Sequence, residues 1–264
     1  MAPQRSAEQR IEAKNLTVAF GRRVIQSELS FSIRQGSIFA IMGGSGCGKS
    51  TVLRAMVGLL RPSSGTITVD GEDYWAATDA RRAAISRRFG VLFQSGALWS
   101  SMTVAENVAL PLQMFTSLAA DAITFLVQLK LSLVGLAAAA GRMPAELSGG
   151  MRKRAALARA LALDPEILLF DEPSAGLDPI TSERLDELIL ELSKGLGATV
   201  VIVTHELPSL FAICDDGIFL DADTKTAIAH GSPRALRDAC DHPTVRAFME
   251  RGRVGPVRAR ESRP

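Results

Sequence analysis

The sequence contains Gly43-Gly44-Ser45-Gly46-Cys47-Gly48-Lys49-Ser50, which fits the phosphate-loop pattern G-x-x-x-x-G-K-[ST] at every defined position. The apolar run 37–42 precedes this loop and is predicted to be a buried strand, while 50–60 has the apolar spacing of a helix. Glycines allow tight turns that point backbone N–H groups at phosphate oxygens, and the start of the helix adds its positive dipole end. The strand and the helix on either side therefore argue against a chance match to the pattern.

The chemistry of a phosphate loop assigns a role to each polar side chain in it. Lys49 is expected to reach the β- and γ-phosphates of a nucleotide, Ser50 to ligate Mg²⁺, and Thr51 to support the α-phosphate. The predicted nucleotide contacts in this region are Gly43, Gly44, Ser45, Gly46, Cys47, Gly48, Lys49, Ser50 and Thr51.

Polar residues follow three further apolar runs. Asp171 and Glu172 end the run 167–170, Gln94 follows 91–93, and His205 follows 200–204. We predict that Asp171 holds Mg²⁺ and that Glu172 polarises the attacking water. The alternative interpretation makes both carboxylates part of a solvated strand end.

The segment Leu147-Ser148-Gly149-Gly150-Met151 lies between the phosphate loop and the acidic strand, at the predicted start of a helix that runs to about residue 163. A helix start with a serine and two glycines is a second place where backbone N–H groups favour phosphate. With this segment in place, the chain resembles the ATP-binding subunit of an ABC transporter. The resemblance covers roughly residues 12–232 and keeps every core motif in the family's order.

The resemblance implies further roles for these residues, with ATP and Mg²⁺ as cofactors. Gln94 is expected to touch Mg²⁺ and water and to be catalytic, and His205 to contact the γ-phosphate and orient Glu172. Phe20 matches the aromatic that stacks on adenine, with a plain core phenylalanine as the alternative. The resemblance also implies contacts with the nucleotide of a second copy of the chain, made by Ser148, Gly149, Gly150 and Asp178.

The predicted fold class is α/β: a P-loop NTPase core of the RecA-like type, with an antiparallel β patch and a helical signature subdomain. Early and late hairpins are expected to supply the antiparallel patch, and Gly195 to end the helix that contains Leu185 and Leu192. The predicted divisions are a flexible N-terminus (1–10), a nucleotide-binding core (11–94 and 164–232), a helical subdomain (95–163) and a C-terminal extension (233–264).

The segments 94–112, 146–160 and 203–213 are similar to the Mla/Mce lipid-transport branch of the family. That likeness implies a homodimer on a polytopic permease, with an Mce-type substrate-binding protein and a STAS-domain subunit as further partners. A docking groove for the permease is expected near Gln94, Leu98, Trp99 and Met102, although the same residues would also suit an ordinary core. An importer of a polar solute such as an amino acid is the main alternative, and a soluble ABC ATPase acting on nucleic acid or ribosomes is a weaker one.

The composition limits the class of protein. The chain has 264 residues, of which 47% are hydrophobic, and a net charge of +2, which makes no electrostatic case for nucleic acid. Neither a membrane-spanning run nor a secretory signal is expected from the sequence, and the three cysteines have no metal-ligand spacing. Together with the resemblance to an ABC transporter subunit, this implies a peripheral protein on the cytoplasmic face of the inner or plasma membrane.

Overall fold

An antiparallel sheet forms one layer of the computed structural model, which describes residues 9–250. Its strands are β1 (Gln9–Phe20), β2 (Arg23–Arg34), β4 (Ser64–Val69) and β5 (Glu72–Asp73), in the order β2-β1-β4-β5. Burial alternates along β1, where Ile11, Ala13, Leu16 and Val18 face the core. This alternation is expected of a sheet that packs one face on the core and leaves the other towards solvent.

The second sheet holds the phosphate loop. Its strands are β3 (Ile38–Gly43), β6 (Phe89–Leu92), β7 (Ile167–Asp171), β8 (Thr199–Val203), β9 (Asp216–Leu220) and β10 (Ala227–His230), in the order β10-β9-β3-β8-β7-β6. All pairings in this sheet are parallel except that of β9 with β10. Every residue of β3, β7 and β8 is buried, because helices and the other sheet cover both faces.

The helices of the described residues are α1 (Lys49–Met56), α2 (Asp79–Ser86), α3 (Val104–Phe115), α4 (Ala120–Leu133), α5 (Gly149–Ala160), α6 (Pro179–Leu196), α7 (Leu207–Ile213), α8 (Pro233–Ala239) and α9 (Pro243–Glu250). The predicted helical stretch 95–163 contains α3, α4, α5 and two short 3₁₀ turns, and no strand lies within it. One hydrophobic cluster joins Val108 and Leu131 of these helices to Leu168 and Val200 of the parallel sheet. The helical subdomain thus shares its core with the nucleotide-binding sheet.

Two helix ends differ from the sequence prediction. α1 ends at Met56, not near residue 60, because Gly58 turns the backbone at φ +84°. α6 runs through Gly195, and the left-handed residue that caps it is Gly197, at φ +63°. Either glycine could serve as the cap on composition alone, and only the backbone conformation distinguishes them.

The late hairpin also departs from its predicted place. β9 and β10 do form an antiparallel pair, but β9 extends the parallel sheet beside β3, and only the early strands make the separate antiparallel sheet. β9 carries four buried residues from Gly217 to Leu220, so burial on both faces places it inside the parallel sheet.

Both predicted chain ends differ in part from the structure. Gln9 and Arg10 begin β1, and Arg10 is buried and pairs with Asp70 and Glu166. The rest of the predicted flexible N-terminus, 1–8, lies outside the described residues, as does 251–264 of the predicted C-terminal extension. The helix α9 of that extension packs into the core through Val245, Phe248 and Met249. None of the helices within 9–250 is long and apolar enough to cross a membrane.

Candidate nucleotide site

The phosphate loop joins β3 to α1 with glycines at positions where a side chain would clash. Gly43 has φ +143°, and a Cβ there would lie 2.3 Å from the carbonyl oxygen of Leu220. Gly48 has φ +100°, and its Cβ would lie 2.5 Å from a methyl carbon of Ile25. Neighbouring strands therefore enforce glycine at these two positions of the loop.

Lys49 lies across the loop that it follows. Its Nζ donates hydrogen bonds of 2.9 Å each to the carbonyl oxygens of Gly43 and Gly44, and the residue is 7% exposed. These contacts hold the ammonium at the phosphate loop, where it supplies positive charge that phosphate oxygens require.

Gln26 supports the loop from β2 and was not foreseen from the sequence. It is fully buried, and its Nε2 donates to the carbonyl oxygens of Cys47 at 2.6 Å and Asp221 at 2.9 Å. Cys47 itself is buried, which raises the pKa of its thiol, while nearby Lys49 opposes that rise. The cysteine is therefore part of the packed base of the loop rather than a reactive group.

Ser50 and Asp171 supply the oxygen atoms of the site that could ligate Mg²⁺. The Oγ of Ser50 donates to Oδ1 of Asp171 at 2.7 Å, which brings the loop and the end of β7 together. A hydroxyl and a carboxylate are ligands that Mg²⁺ accepts when phosphates and waters complete its shell. Within residues 9–250, no group of three or more His, Cys, Asp or Glu side chains could hold a metal by itself. The donor set thus fits a metal that binds together with a nucleotide.

Glu172 adopts a backbone conformation that is unusual for a residue with a side chain. Its φ is +49°, in the left-handed region, which costs about 1 kcal/mol for a non-glycine residue. Its Oε1 lies 2.8 Å from Nδ1 of His205, and its Oε2 is buried without a hydrogen-bond partner among the described residues. Strained residues held in place by their surroundings are found at functional sites.

Gln94 lies just beyond β6, and its side chain is exposed. Its backbone carbonyl accepts a hydrogen bond from Nζ of Lys153, a buried residue of α5. The same ammonium donates to the carbonyl oxygen of Glu172 at 3.1 Å. Lys153 was not foreseen, because it stands in the helical subdomain and 19 residues separate it from Glu172.

One cavity of about 430 Å³ collects most of the predicted site. It is lined by Phe20, Arg23, Ile25, Ser45, Gly46, Gly48, Lys49, Ser50, Thr51, Gln94, Glu172 and His205. Phe20 is 51% exposed at its rim, so it is a surface aromatic and not a core residue. Arg23 also lines the cavity but was not predicted, because no sequence motif marks an arginine three positions after the aromatic residue.

The residues that line this cavity do not include Gly43, Gly44, Cys47 and Asp171, nor the four predicted contacts at the helix starts. Ser148 caps α5, and its Oγ accepts from the backbone N–H of Met151 at 3.2 Å. Asp178 caps α6 and accepts from the backbone N–H and the hydroxyl of Thr181, contacts that lower the pKa of its carboxyl. Gly149 and Gly150 form the first turn of α5. These four residues therefore lie at two helix starts, where Ser148, Gly149 and Asp178 are exposed and Gly150 is buried.

Comparisons with known proteins agree with this geometry. The family profile described as ABC transporter matches residues 26–175. The chain is 45% identical to the Escherichia coli (strain K12) "Intermembrane phospholipid transport system ATP-binding protein MlaF" over 247 residues, covering 94% of this chain and 91% of that protein. It is 41% identical to the Mycobacterium tuberculosis (strain H37Rv) "Probable ribonucleotide transport ATP-binding protein mkl", covering 94% of this chain and 68% of that protein.

Solved structures show the same fold. The dimeric post-hydrolysis state of the ATP-binding cassette MJ0796 bound to ADP and Pi has a TM-score of 0.76 and 30% identity, covering 83% of this chain and 97% of that one. The cbiO1 protein of Clostridium perfringens, part of the ABC transporter complex cbiONQ, has a TM-score of 0.78 and 28% identity, covering 87% and 90%. With its phosphate loop, acidic strand end and signature helix in one fold, this chain belongs to the ABC transporter family, as an ATP-binding subunit that hydrolyses ATP.

Proposed function

We propose that this chain hydrolyses ATP to drive an ABC transporter for phospholipids or related hydrophobic molecules. The observation that carries the proposal is the 45% identity, along almost the whole chain, to a protein named for phospholipid transport. The relative named for probable ribonucleotide transport, at 41% identity, favours a polar cargo as the second candidate. Both candidates use the same ATP site, so the cargo depends on partners of the chain and not on its fold.

The nucleotide site assigns a task to each side chain. Ser50, Asp171 and Gln94 would hold Mg²⁺, which when bound neutralises charge on the phosphates. Lys49 and the loop N–H groups bind the β- and γ-phosphates, and Phe20 stacks on the adenine. The short contact between Ser50 and Asp171 supports this assignment, because it brings two of the three oxygen donors together.

Water activation is assigned to Glu172 and His205. The Glu172 carboxylate accepts a proton from the attacking water, and His205 holds that carboxylate through its 2.8 Å contact. His205 has its side chain 53% exposed at the cavity, so it can also reach the terminal phosphate. The buried, unpartnered Oε2 of Glu172 among the described residues supports the role of proton acceptor.

The second surface completes the site of another copy. Ser148, Gly149 and Gly150 present the start of α5, and Asp178 presents the start of α6, away from the cavity of their own chain. In a two-fold dimer, each surface closes on the nucleotide that the partner's loop holds. The dimeric state of the similar cassette MJ0796 supports this arrangement. Bound ATP then stabilises the closed dimer, and hydrolysis releases it.

The helical subdomain carries several exposed apolar side chains that suit a permease. Trp99 is 59% exposed and Phe125 68% exposed, and further exposed apolar side chains of α3, α4 and their connection are Met114, Phe115, Leu118, Leu129 and Leu133. Of the predicted groove, Gln94 and Trp99 are exposed, whereas Leu98 packs partly against the core and Met102 is half-buried. A cluster of exposed apolar side chains marks an interaction surface. We assign it to a membrane permease at the cytoplasmic face of the inner membrane, with Mce-type and STAS-domain proteins as additional partners.

The test is a pull-down of the full-length chain from its native membranes in mild detergent, with mass spectrometry of the bound proteins and lipids. We expect a permease and an Mce-type protein with glycerophospholipid. Phe125→Glu should lose the permease by placing a charge on the apolar face, whereas Leu59→Glu, at an exposed leucine beyond α1, should keep it. A permease with a polar-solute binding protein would replace the lipid assignment, and ribosomal or DNA-repair partners would refute both.

A further inference from the structure

Lys153 is a buried cation that joins the signature helix to the hydrolysis site. It lies on α5, five residues after Ser148, and is 7% exposed. Its Nζ donates to the backbone carbonyl oxygens of Gln94 and Glu172, the latter at 3.1 Å. One side chain of the helical subdomain is therefore bonded to the ends of both β6 and β7.

The environment of Lys153 explains why a charged group is tolerated there. Burial lowers the pKa of the Lys153 ammonium, while the nearby carboxylates of Asp171, Glu172 and Glu206 oppose that change. Among the described residues no carboxylate forms a direct ion pair with Lys153, so its hydrogen bonds go to backbone carbonyls. A buried cation is stable only where such acceptors and charges surround it. The position of the Lys153 ammonium therefore depends on the positions of these carbonyl and carboxylate groups.

Glu172 needs several contacts because its backbone is strained. Its N–H donates to the carbonyl oxygen of Val203 at 2.8 Å, and its carbonyl accepts from the N–H of Ala175 at 3.2 Å. The side chain is held by His205, and Lys153 supplies the contact that comes from the helical subdomain. A shift of α5 therefore acts on the peptide group that sets the direction of the Glu172 side chain.

We propose that Lys153 is a positioning residue through which closure of α5 on the partner's nucleotide aligns Glu172 and the backbone of Gln94 in its own chain. The inference rests on the proposed roles of Ser148 and Glu172. Ser148 and Lys153 are separated by about 7.5 Å along a helix that rises 1.5 Å per residue. Because α5 is continuous from Gly149 to Ala160, a movement at its start reaches Lys153 without loss. The two composite sites of a dimer would thus be coupled through this side chain.

The test compares Lys153→Met and Lys153→Arg in the full-length chain bound to its membrane partner. We expect Lys153→Met to lower kcat by about tenfold or more while the Kd for ATP changes by less than about threefold, since the phosphate loop is untouched. Lys153→Arg keeps a cation and donors, so it should recover most of kcat. The Hill coefficient for ATP should fall towards one in the methionine variant.

The matched control is Lys130→Met, which removes another buried lysine that pairs with Asp164 far from the nucleotide cavity. We expect this substitution to lower the Tm of the protein while its kcat and KM for ATP stay near those of the unsubstituted chain. Two results would overturn the proposal. One is a parental kcat in Lys153→Met, and the other is a loss of kcat that Lys153→Arg does not restore. Glu172→Gln is measured alongside. If it also hydrolyses ATP normally, the assignment of the catalytic base has failed instead.

Discussion

Glu172 combines three properties that rarely occur together on a structural residue. Its backbone is left-handed at φ +49°, its side chain is buried, and one carboxylate oxygen has no partner among the described residues. Strain and an unmet hydrogen-bond capacity are both unfavourable in the folded protein, so a function must maintain them. The 2.8 Å contact with His205 is consistent with the proposed function, the handling of a proton near the terminal phosphate.

Glu172→Gln should therefore separate binding from hydrolysis. The amide keeps the size and the hydrogen-bonding reach of the side chain but cannot accept a proton, so we expect kcat to fall by about 100-fold or more. ATP affinity should be retained, and an ATP-bound dimer should accumulate. Phosphate release and size-exclusion chromatography with ATP measure the two effects. Steady-state hydrolysis at the parental rate would contradict the assignment of Glu172 as the base.

At the residue scale, the sequence predicted the groups that belong to contiguous motifs. The phosphate loop, Asp171 and Glu172 were recognisable because each motif is short and has a defined chemistry. Gln26 and Lys153 were missed, since their partners lie far along the chain. The bond from Gln26 to Asp221 spans 195 residues, and no local pattern records such a contact.

At the element scale, helix α6 and helix α7 meet at a buried carboxyl. Asp186 of α6 accepts from the hydroxyl of Ser209 on α7 at 2.6 Å, and its Oδ1 has no partner within residues 9–250. Burial raises the pKa of Asp186 from 3.8 to about 6, and the Ser209 hydroxyl opposes that rise only in part. The helix pair therefore carries an ionised, incompletely bonded group at neutral pH.

Asp186→Asn should stabilise the protein in a pH-dependent way. The folded-state pKa is raised, so the stability linked to the protonated carboxyl is full below about pH 4 and is lost as the pH rises through about 6. The neutral amide avoids that loss, and we expect a gain of about 1 kcal/mol near pH 8 that disappears near pH 4. Thermal unfolding at both pH values measures it. Glu187→Gln, on the exposed side of α6, should show no such trend.

Element boundaries were harder to predict than element types. The strands 167–170 and 199–203 agree with β7 and β8 to within one residue, because an unbroken apolar run between polar turns leaves few alternatives. The end of α6 was misplaced at Gly195, since a glycine within the last turn can be accommodated when the left-handed position follows it at Gly197. α9 was not predicted, and its apolar residues pack both against the preceding helix α8 and against distant elements, including Phe219, whose ring centroid lies 5.0 Å from that of Phe248.

At the scale of the whole molecule, our proposal places the phosphate loop and the start of α5 against two different nucleotides. Lys49 and Glu172 line one cavity, whereas Ser148 caps α5 outside it. One hydrophobic cluster joins α3, α4 and α5 to the parallel sheet, so the helical subdomain packs directly on the nucleotide-binding core. In the proposed dimer, the start of α5 of one copy completes the nucleotide site of the other copy.

Ser148→Arg tests this composite site, because the substituted residue would contact the nucleotide that the other copy binds. A bulky cation at the helix start removes the cap and blocks close approach, so we expect dimer closure and hydrolysis to fail while a single chain still binds ATP with a Kd within about threefold of the parent. Combined with Glu172→Gln, the substitution should abolish the ATP-bound dimer that Glu172→Gln alone accumulates. Ser101→Arg, at an exposed serine outside the nucleotide cavity, serves as the control. Loss of ATP binding by the isolated Ser148→Arg chain would place Ser148 in the site of its own chain and refute the shared arrangement.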